Sequence, residues 1–342
     1  YWKRTGRTEA LAMAENTLAA MRQGGIYDHL GFGFHRYSTD ADWLVPHFEK
    51  MLYDQALLAE VYAEAFSATG KGEYKRTAGE IADYVLRDLA SPEGGFHTAE
   101  DADSEGEEGK FYLWTADELG DVLGPEEAKL AARVFGFEAG GNFSEPGRSR
   151  DGRNILHGSR TAEEPAGQID KIRQKLFLAR EERVRPFKDT KVLADWNGLM
   201  IAALASVFRA TGEDRYLRAA ERAAGFGLER MSAPDGRLLH VSANGEARVP
   251  AFLDDYAFLI KGFLGLYEGG FDSGHLEKAL ELARLSIEHF WDEKEGGFFF
   301  AADAPEVGAR RKEIYDGAVP SGNSVMLMNL LRLARLTGRP DL

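Results

Sequence analysis

Between residues 29 and 54 the chain carries three histidines, an arginine, a lysine and several acids: His29, His35, Arg36, Asp42, His47, Glu49, Lys50 and Asp54. Histidine beside carboxylates is the usual equipment for moving protons near neutral pH. His47-x-Glu49 also has the look of a metal-ligand pair, but a hydrogen-bonding histidine is the commoner use of such spacing, and no metal is assigned. Three further stretches repeat the mixture of acids with aromatics. Asp101, Asp103, Lys110, Tyr112 and Trp114 form one, Asp189, Lys191, Asp195, Trp196 and Asn197 the second, and His240, Asp254, Asp255 and Tyr256 the third. Tyr315, Asp316, Ser321 and Asn323 close the series. Asp101–Gly106 resembles a calcium loop without its twelve-residue spacing or closing helix, so an acidic loop is expected there.

Helical hairpins have to position these groups. Thr-Gly recurs at Thr5-Gly6, Thr69-Gly70, Thr211-Gly212 and Thr337-Gly338, with Gly269-Gly270 in an equivalent place. Each follows an apolar stretch such as Ala205–Phe208, and most precede a stretch rich in Ala, Glu and Arg. Glycine just past a helix end supplies the left-handed conformation that ends it. The unit is therefore helix, short turn, helix. The gap from Thr69 to Thr211 holds about two units, which predicts a diverged hairpin from Ala116–Gly136 and Gln168–Arg183. Asn197–Ala210 and Asn323–Leu336 are apolar nearly all round, as buried helices are; Asp214–Met231 and His275–Trp291 are amphipathic. Inner helices wrapped by outer ones give an all-α (α/α)6 toroid, incomplete at both ends, with short β-hairpins at one mouth where glycine-aromatic segments such as Gly296–Phe300 occur. An open solenoid is the competing arrangement. The chain reads as one barrel domain over 1–342, with a loop excursion over 137–167.

Short turns at one end of stacked hairpins leave the long connections at the other, and the chemically suggestive residues fall in those connections. The expected result is one concave site lined by aromatics and a few polar groups. Its proton-handling candidates are His35, His47, Glu49, Asp54, Asp195 and Asp255. Ligand-binding candidates are Arg36, Tyr37, Trp43, Lys50, Asp101, Asp103, Trp196, Asn197, Tyr256, Asp316, Ser321 and Asn323. Asp54, Asn197, Asp255 and Asn323 also stand where helix caps are expected, and Pro46–Asp54 can be read as a helical turn with a salt-bridged face.

Composition narrows the partners. The net charge of −14 disfavours nucleic acid. The absence of cysteine removes disulfides, thiol nucleophiles and thiolate zinc sites, and suits a reducing cytoplasm. The longest apolar run, Leu199–Phe208, is about half a membrane span. An opening at Tyr1 with no basic-then-apolar leader is read as a fragment of a longer chain.

Residues 24–58, GGIYDHLGFGFHRYSTDADWLVPHFEKMLYDQALL, are similar to the signature of the spermatogenesis-associated protein 20 family, also called thioredoxin-domain-containing proteins. Residues 101–115, 188–205 and 312–325 extend the resemblance in order along essentially the whole chain. Gly31-Phe32-Gly33-Phe34-His35 stands where that family has Gly-Gly-Gly-Phe-His. The resemblance implies a barrel of the six-hairpin glycosidase type and a preceding thioredoxin-like domain, missing here, as a partner. The same barrel serves glycoside hydrolases, lyases and sugar 2-epimerases.

Two classes of function follow. In the first, the protein is a sugar-active enzyme without a cofactor. Hydrolysis would use carboxyls among Asp54, Asp195 and Asp255. Epimerisation would use His35 and His47, with Arg36 or Lys50 stabilising an enediolate, and the crowding of His, Arg and Glu leans toward this isomerase chemistry. In the second, a non-catalytic module binds a glycan or client beside the thioredoxin-like domain. Zinc-dependent prenyl transfer or lanthionine-type cyclisation lacks its cysteine ligand.

Overall fold

A computed structural model describes residues 1–144, 150–158, 166–302 and 310–342. The chain divides into two compact units, residues 1–54 with 99–188 and residues 55–98 with 189–342.

Unit 1 contains α1 (Trp2–Thr5), α2 (Thr8–Gln23) and the start of α3 (Leu52–Thr69). The diverged hairpin is present as α5 (Ala116–Val134) and α6 (Ala166–Glu181), packed around Leu119, Leu130, Phe135, Ile172 and Leu176. Between α2 and α3 lie the short strands β1 (Tyr37–Ser38), β2 (Pro46–His47) and β3 (Lys50–Met51). Residues 46–51 are therefore extended, and no salt-bridged helical turn forms there. Burial alternates strictly along them, which turns His47 and Glu49 outward and Phe48 and Lys50 inward. Strand β3 pairs with β4 (Ala99–Glu100). Beyond it, β5 (Asp103–Ser104) and β6 (Glu107–Glu108) form a tight hairpin with Glu105 and Gly106 both at positive φ. That is the geometry of a type I′ turn, so the acidic loop expected at 101–106 is an ordered hairpin. The excursion expected over 137–167 lies partly outside the described residues. Its described part holds Asn142 and Asn154 buried, with Asn154 exchanging backbone hydrogen bonds with Trp114.

Unit 2 is built from α4 (Gly72–Tyr84, continued by a π turn over Val85–Leu89), α7 (Ala194–Thr211), α8 (Asp214–Arg230), α9 (Leu253–Gly270), α10 (Ser273–Phe290) and α11 (Gly322–Thr337), with the rest of α3. Its strands are β7 (Lys188–Asp189, shared at the boundary), β8 (Val192–Leu193), β9 (Leu239–Ala243) and β10 (Glu246–Pro250), the last three forming one sheet. Among the described residues no helix is long and apolar enough to cross a membrane.

The Thr-Gly signal has a physical basis in both units. Gly6, Gly70, Gly212 and Gly338 all adopt positive φ. The preceding threonine hydroxyl donates back to a carbonyl one turn earlier, from Thr69 to Ala65 at 2.7 Å, Thr211 to Val207 at 2.8 Å and Thr337 to Leu333 at 2.7 Å. After Thr69 and Thr211 the same oxygen accepts the N–H two residues on. The Gly269-Gly270 variant differs: α9 runs through both glycines, and Phe271 takes the left-handed position at φ 55° while 78% exposed.

Helices α7 and α9 are buried on nearly every side, and two glycines let them touch. A Cβ on Gly198 would stand 2.4 Å from the Phe258 carbonyl carbon, and one on Gly262 3.0 Å from the Gly198 oxygen. Gly198 lies one turn beyond Asp195 and Phe258 one turn beyond Asp255, so this approach brings the two aspartates together. Gly198→Ala is expected to force the backbones apart at a cost of about 2 kcal/mol or more, read as a lowered urea midpoint with unchanged slope.

Candidate functional site

The aspartates at the starts of α7 and α9 meet His240 of β9. Asp195, His240 and Asp255 offer ligand-type atoms all within 4.8 Å of one another. Asp255 is wholly buried, and both its oxygens are engaged. Oδ1 accepts the Asp195 N–H at 3.0 Å, Oδ2 accepts the Phe252 N–H at 2.8 Å, and His240 Nδ1 approaches them at 2.9 and 3.1 Å. Among the described residues this is the one group of three spaced to hold a metal ion. With two backbone N–H groups and the imidazole already on Asp255, the arrangement suits proton handling better than metal coordination.

Electrostatics follow from the crowding. Burial, then the Asp255 charge, pushes the Asp195 carboxyl up to about 8, partly offset by His240. Burial and Asp255 raise Asp254 to about 6, with the Gly322 N–H pulling the other way. The hydrogen bond to Asp255 raises His240. Asp254 also keeps one oxygen, Oδ1, buried without a hydrogen-bond partner. An aromatic wall adjoins the group: Phe252 lies edge-on to His240 at 5.3 Å and stacks on Phe300 at 4.7 Å with 14° between planes. His240 lies outside the candidate set drawn from the sequence because a lone histidine in a strand carries no spacing signal. Its grouping with Asp254 and Asp255, the latter fifteen residues downstream, is the pointer the sequence does give.

Unit 1 gathers a second group. Arg36 pairs with Glu49 at 2.9 Å and donates to the Tyr53 hydroxyl at 3.1 Å. His47 contacts Glu49 through Nε2 at 3.1 Å and Glu108 through Nδ1 at 2.7 Å, and Tyr37 lies against its ring at 5.1 Å. Asp54, in the first turn of α3, has Oδ2 buried without a partner, and burial raises its carboxyl to about 8 against the pull of Arg36. It does not cap the helix.

Other expected site residues are committed elsewhere. His35 is buried, with Nδ1 on the Phe48 carbonyl at 2.9 Å, and burial holds it down to about 3, so it stays neutral and cannot serve as an acid at ordinary pH. Lys50, 1% exposed, donates to Asp28 at 2.7 Å and to the Phe32 carbonyl at 2.8 Å, a structural ion pair rather than a ligand contact. Tyr256 is buried and accepts the Leu238 N–H. Asn197 is neither cap nor open to ligand. Its amide brackets the backbone of Phe96, accepting at 2.8 Å and donating at 3.0 Å, and Asn323 does the same to Phe298 at 2.8 and 2.9 Å. The repeated use is a hairpin device: an asparagine opening one helix clamps the Gly-Gly-Phe loop after an earlier hairpin. Ser321 caps α11, and Asp316 accepts the Ser321 N–H. Asp101 accepts the adjacent Ala102 N–H, Asp103 lies exposed on β5, and neither joins a metal-spaced group among the described residues. Trp43 is half-buried at φ 62°, and its carbonyl accepts the Ile26 N–H. Trp196 is half-buried, and its backbone N–H donates to Asp195 Oδ1.

Comparison with known proteins places the fold first. No protein-family model matches the chain. An unsaturated glucuronyl hydrolase specific for heparin aligns over 98% of this chain and 71% of its own, at 12% identity and TM-score 0.55. A family 76 glycoside hydrolase (mannosidase) from Bacteroides thetaiotaomicron aligns over 99% and 68%, at 14% and 0.53. An α-1,6-mannanase of a Salegentibacter species, inactive with two consecutive aspartates replaced and bound to α-1,6-mannotetrose, gives 14% and 0.54 over 96% and 70%. The fold is thus of the (α/α)6-toroid class, one that carbohydrate-active enzymes use.

Sequence then gives the nearer kinship. Human spermatogenesis-associated protein 20 is 40% identical over 98% of this chain and 48% of its own length, and an uncharacterised Caenorhabditis elegans protein is 35% identical over 95% and 49%. The chain is a homologue of spermatogenesis-associated protein 20 and spans about half the length of the curated relatives it matches.

Proposed function

We propose that the chain acts on carbohydrate by acid–base chemistry centred on Asp195, His240 and Asp255 of unit 2. The observation that carries this reading is Asp255, fully buried, holding the imidazole of His240 with both oxygens while Asp195 lies alongside and keeps its proton at neutral pH. Two carboxyls whose surroundings separate their affinities for protons mark an acid and a base. Asp195 is the acid: it protonates the leaving oxygen as the glycosidic C–O bond breaks. Asp254, ionised above about pH 6, takes the proton of the water whose oxygen bonds to the sugar carbon. Asp255 positions His240, whose charge balances the carboxylates. The aromatic wall of Phe252 and Phe300 offers the apolar face that pyranose C–H groups stack on.

Hydrolysis is favoured over epimerisation because His35, one of the two histidines that reading needs, is buried and neutral. The hydrolase and mannanase names among the structural neighbours support the same direction. The test is a panel of oligosaccharides, α-1,6-mannotetraose and unsaturated glucuronyl disaccharides included, with products read by mass spectrometry. The expected result is cleavage of at least one member, falling by about 10²–10⁴-fold in Asp195→Asn, the usual worth of a positioned acid. Binding without cleavage would favour the glycan-binding module, and an active Asp195→Asn would remove Asp195 from the chemistry.

A further inference from the structure

Four polar side chains of unit 1 line one cavity with hydrogen-bonding capacity left over. They are His29, His35, Tyr112 and Arg180, each less than a tenth exposed. His29 bonds the Gly24 carbonyl through Nε2 at 3.0 Å, and His35 bonds the Phe48 carbonyl through Nδ1 at 2.9 Å. A carbonyl only accepts, so each bond fixes the tautomer: the bonded nitrogen carries the proton, and His29 Nδ1 and His35 Nε2 carry lone pairs. Burial, helped by Arg22 at His29 and by Lys50 at His35, holds both rings down to about 3, so both are neutral. Among the described residues neither lone pair receives a hydrogen bond, and the Tyr112 hydroxyl makes none. Burial also pushes that phenol well above its ordinary range, so it keeps its proton. Arg180 forks two nitrogens onto Asp28 and keeps Nε buried without a partner. One unmet buried polar group is costly; four around one cavity point to an occupant.

We infer that this cavity is a binding site for a small uncharged vicinal diol, read by the imidazole lone pairs of His29 and His35 and the donors of Tyr112 and Arg180. The occupant has to give protons to two imidazole nitrogens and accept them from a phenol and a guanidinium. A hydroxyl does both at one atom. A carboxylate has no proton for the imidazoles, an ammonium has no lone pair for the Arg180 N–H, and an ether has no donor. The cavity holds about 260 Å3 of empty space, its open side included. About 20 Å3 of it admits the centre of a water-sized group, where one such group needs roughly 10–15 Å3. Phe48 and Leu156 on its wall offer apolar contact to the carbons. Water satisfies the same pattern one molecule at a time, whereas a diol brings two hydroxyls already joined and releases the waters it replaces. The site lies wholly in unit 1 and does not depend on the chemistry of the unit 2 aspartates.

The test follows the ring nitrogens of labelled histidine by NMR while the whole chain is titrated at neutral pH. Glycerol and methyl α-mannopyranoside are expected to shift the lone-pair nitrogens of His29 and His35 saturably. Tighter binding by the first names a free polyol as the source of the diol, and by the second a sugar edge. Ethylene glycol dimethyl ether, acetate and methylammonium are expected to leave the same nitrogens unmoved. Tyr112→Phe removes the hydroxyl and keeps the ring stacked on Phe48. It should match the wild-type urea midpoint, because the lost group has no partner in the protein, yet bind the tighter diol about two- to tenfold more weakly, the worth of one hydrogen bond. His35→Asn, whose amide still donates to the Phe48 carbonyl, should weaken binding at least as much. No saturable shift with either diol would overturn the inference and leave water as the occupant. Equal shifts with the ether or with acetate, or undiminished binding in Tyr112→Phe, would overturn it as well.

Discussion

Asp28→Asn is expected to destabilise the protein by about 3–5 kcal/mol, the cost of breaking a buried ion pair from one side. The Asp28 carboxylate accepts a two-pronged pair from Arg180, 2.8 Å on each oxygen, and a third charged donor from Lys50 at 2.7 Å. The Leu30 and Gly31 N–H groups add 3.0 Å contacts to Oδ1. Asn keeps the shape but strands two buried cations. Native proteins hold only about 5–15 kcal/mol in total, so the variant should unfold at a much lower urea concentration. Lys50→Met is the control: it leaves the Asp28–Arg180 fork intact and should cost clearly less. Equal losses for the two would show that the network does not depend on its anion. Acid supplies an independent check. Burial alone would raise Asp28, but Arg180 and Lys50 overcome it and hold the carboxyl well below the usual carboxylate range. A depressed native value contributes stability above the unfolded value of about 3.9 and loses it as pH falls further. The gap between wild type and Asp28→Asn should therefore be constant above about pH 5 and close in acid.

Asp195→Asn should behave in the opposite way, inactive yet more stable. Burial and Asp255 hold the Asp195 proton to about pH 8, whereas the unfolded chain releases it near pH 4. Across that window the native state binds the extra proton, so wild-type stability declines as pH rises. Asn has no proton to release. Its advantage should grow between about pH 4 and 8 and then level, reaching roughly 2 kcal/mol at neutral pH after allowance for the shared proton with its neighbours. Gained stability with lost turnover is the mark of a group retained for chemistry. An Asp195→Asn protein less stable than wild type at pH 7 would place the residue among the structural groups.

The hairpin repeat was legible because its signal is local: a threonine that bonds back one turn and a glycine that turns left leave their types in the sequence at fixed spacing. Phe271 shows where that reading stops, since nothing in Gly269-Gly270 says that the helix continues through both glycines. The candidate sites were legible as neighbourhoods, less so as roles. Strand alternation over 46–51 decides that Glu49 faces out and Lys50 in, and a helical reading of the same residues reverses that logic. Arg180, 152 residues from Asp28, is the partner that makes Lys50 structural, and no spacing rule links them. His240 meets Asp195 through the pairing of β9 with β8, which runs into α7, and meets Asp255 through the close contact of α7 with α9, neither of which a spacing rule announces.

The most direct measurement is the carboxyl carbon resonance of Asp195, assigned by its disappearance in Asp195→Asn and followed from pH 4 to 10. A proton that leaves near pH 8, with a second inflection where the imidazole of His240 titrates, is the predicted trace. An aspartate already ionised at pH 5 would contradict it, because Asp195 would then hold no proton at neutral pH to deliver to a departing sugar oxygen.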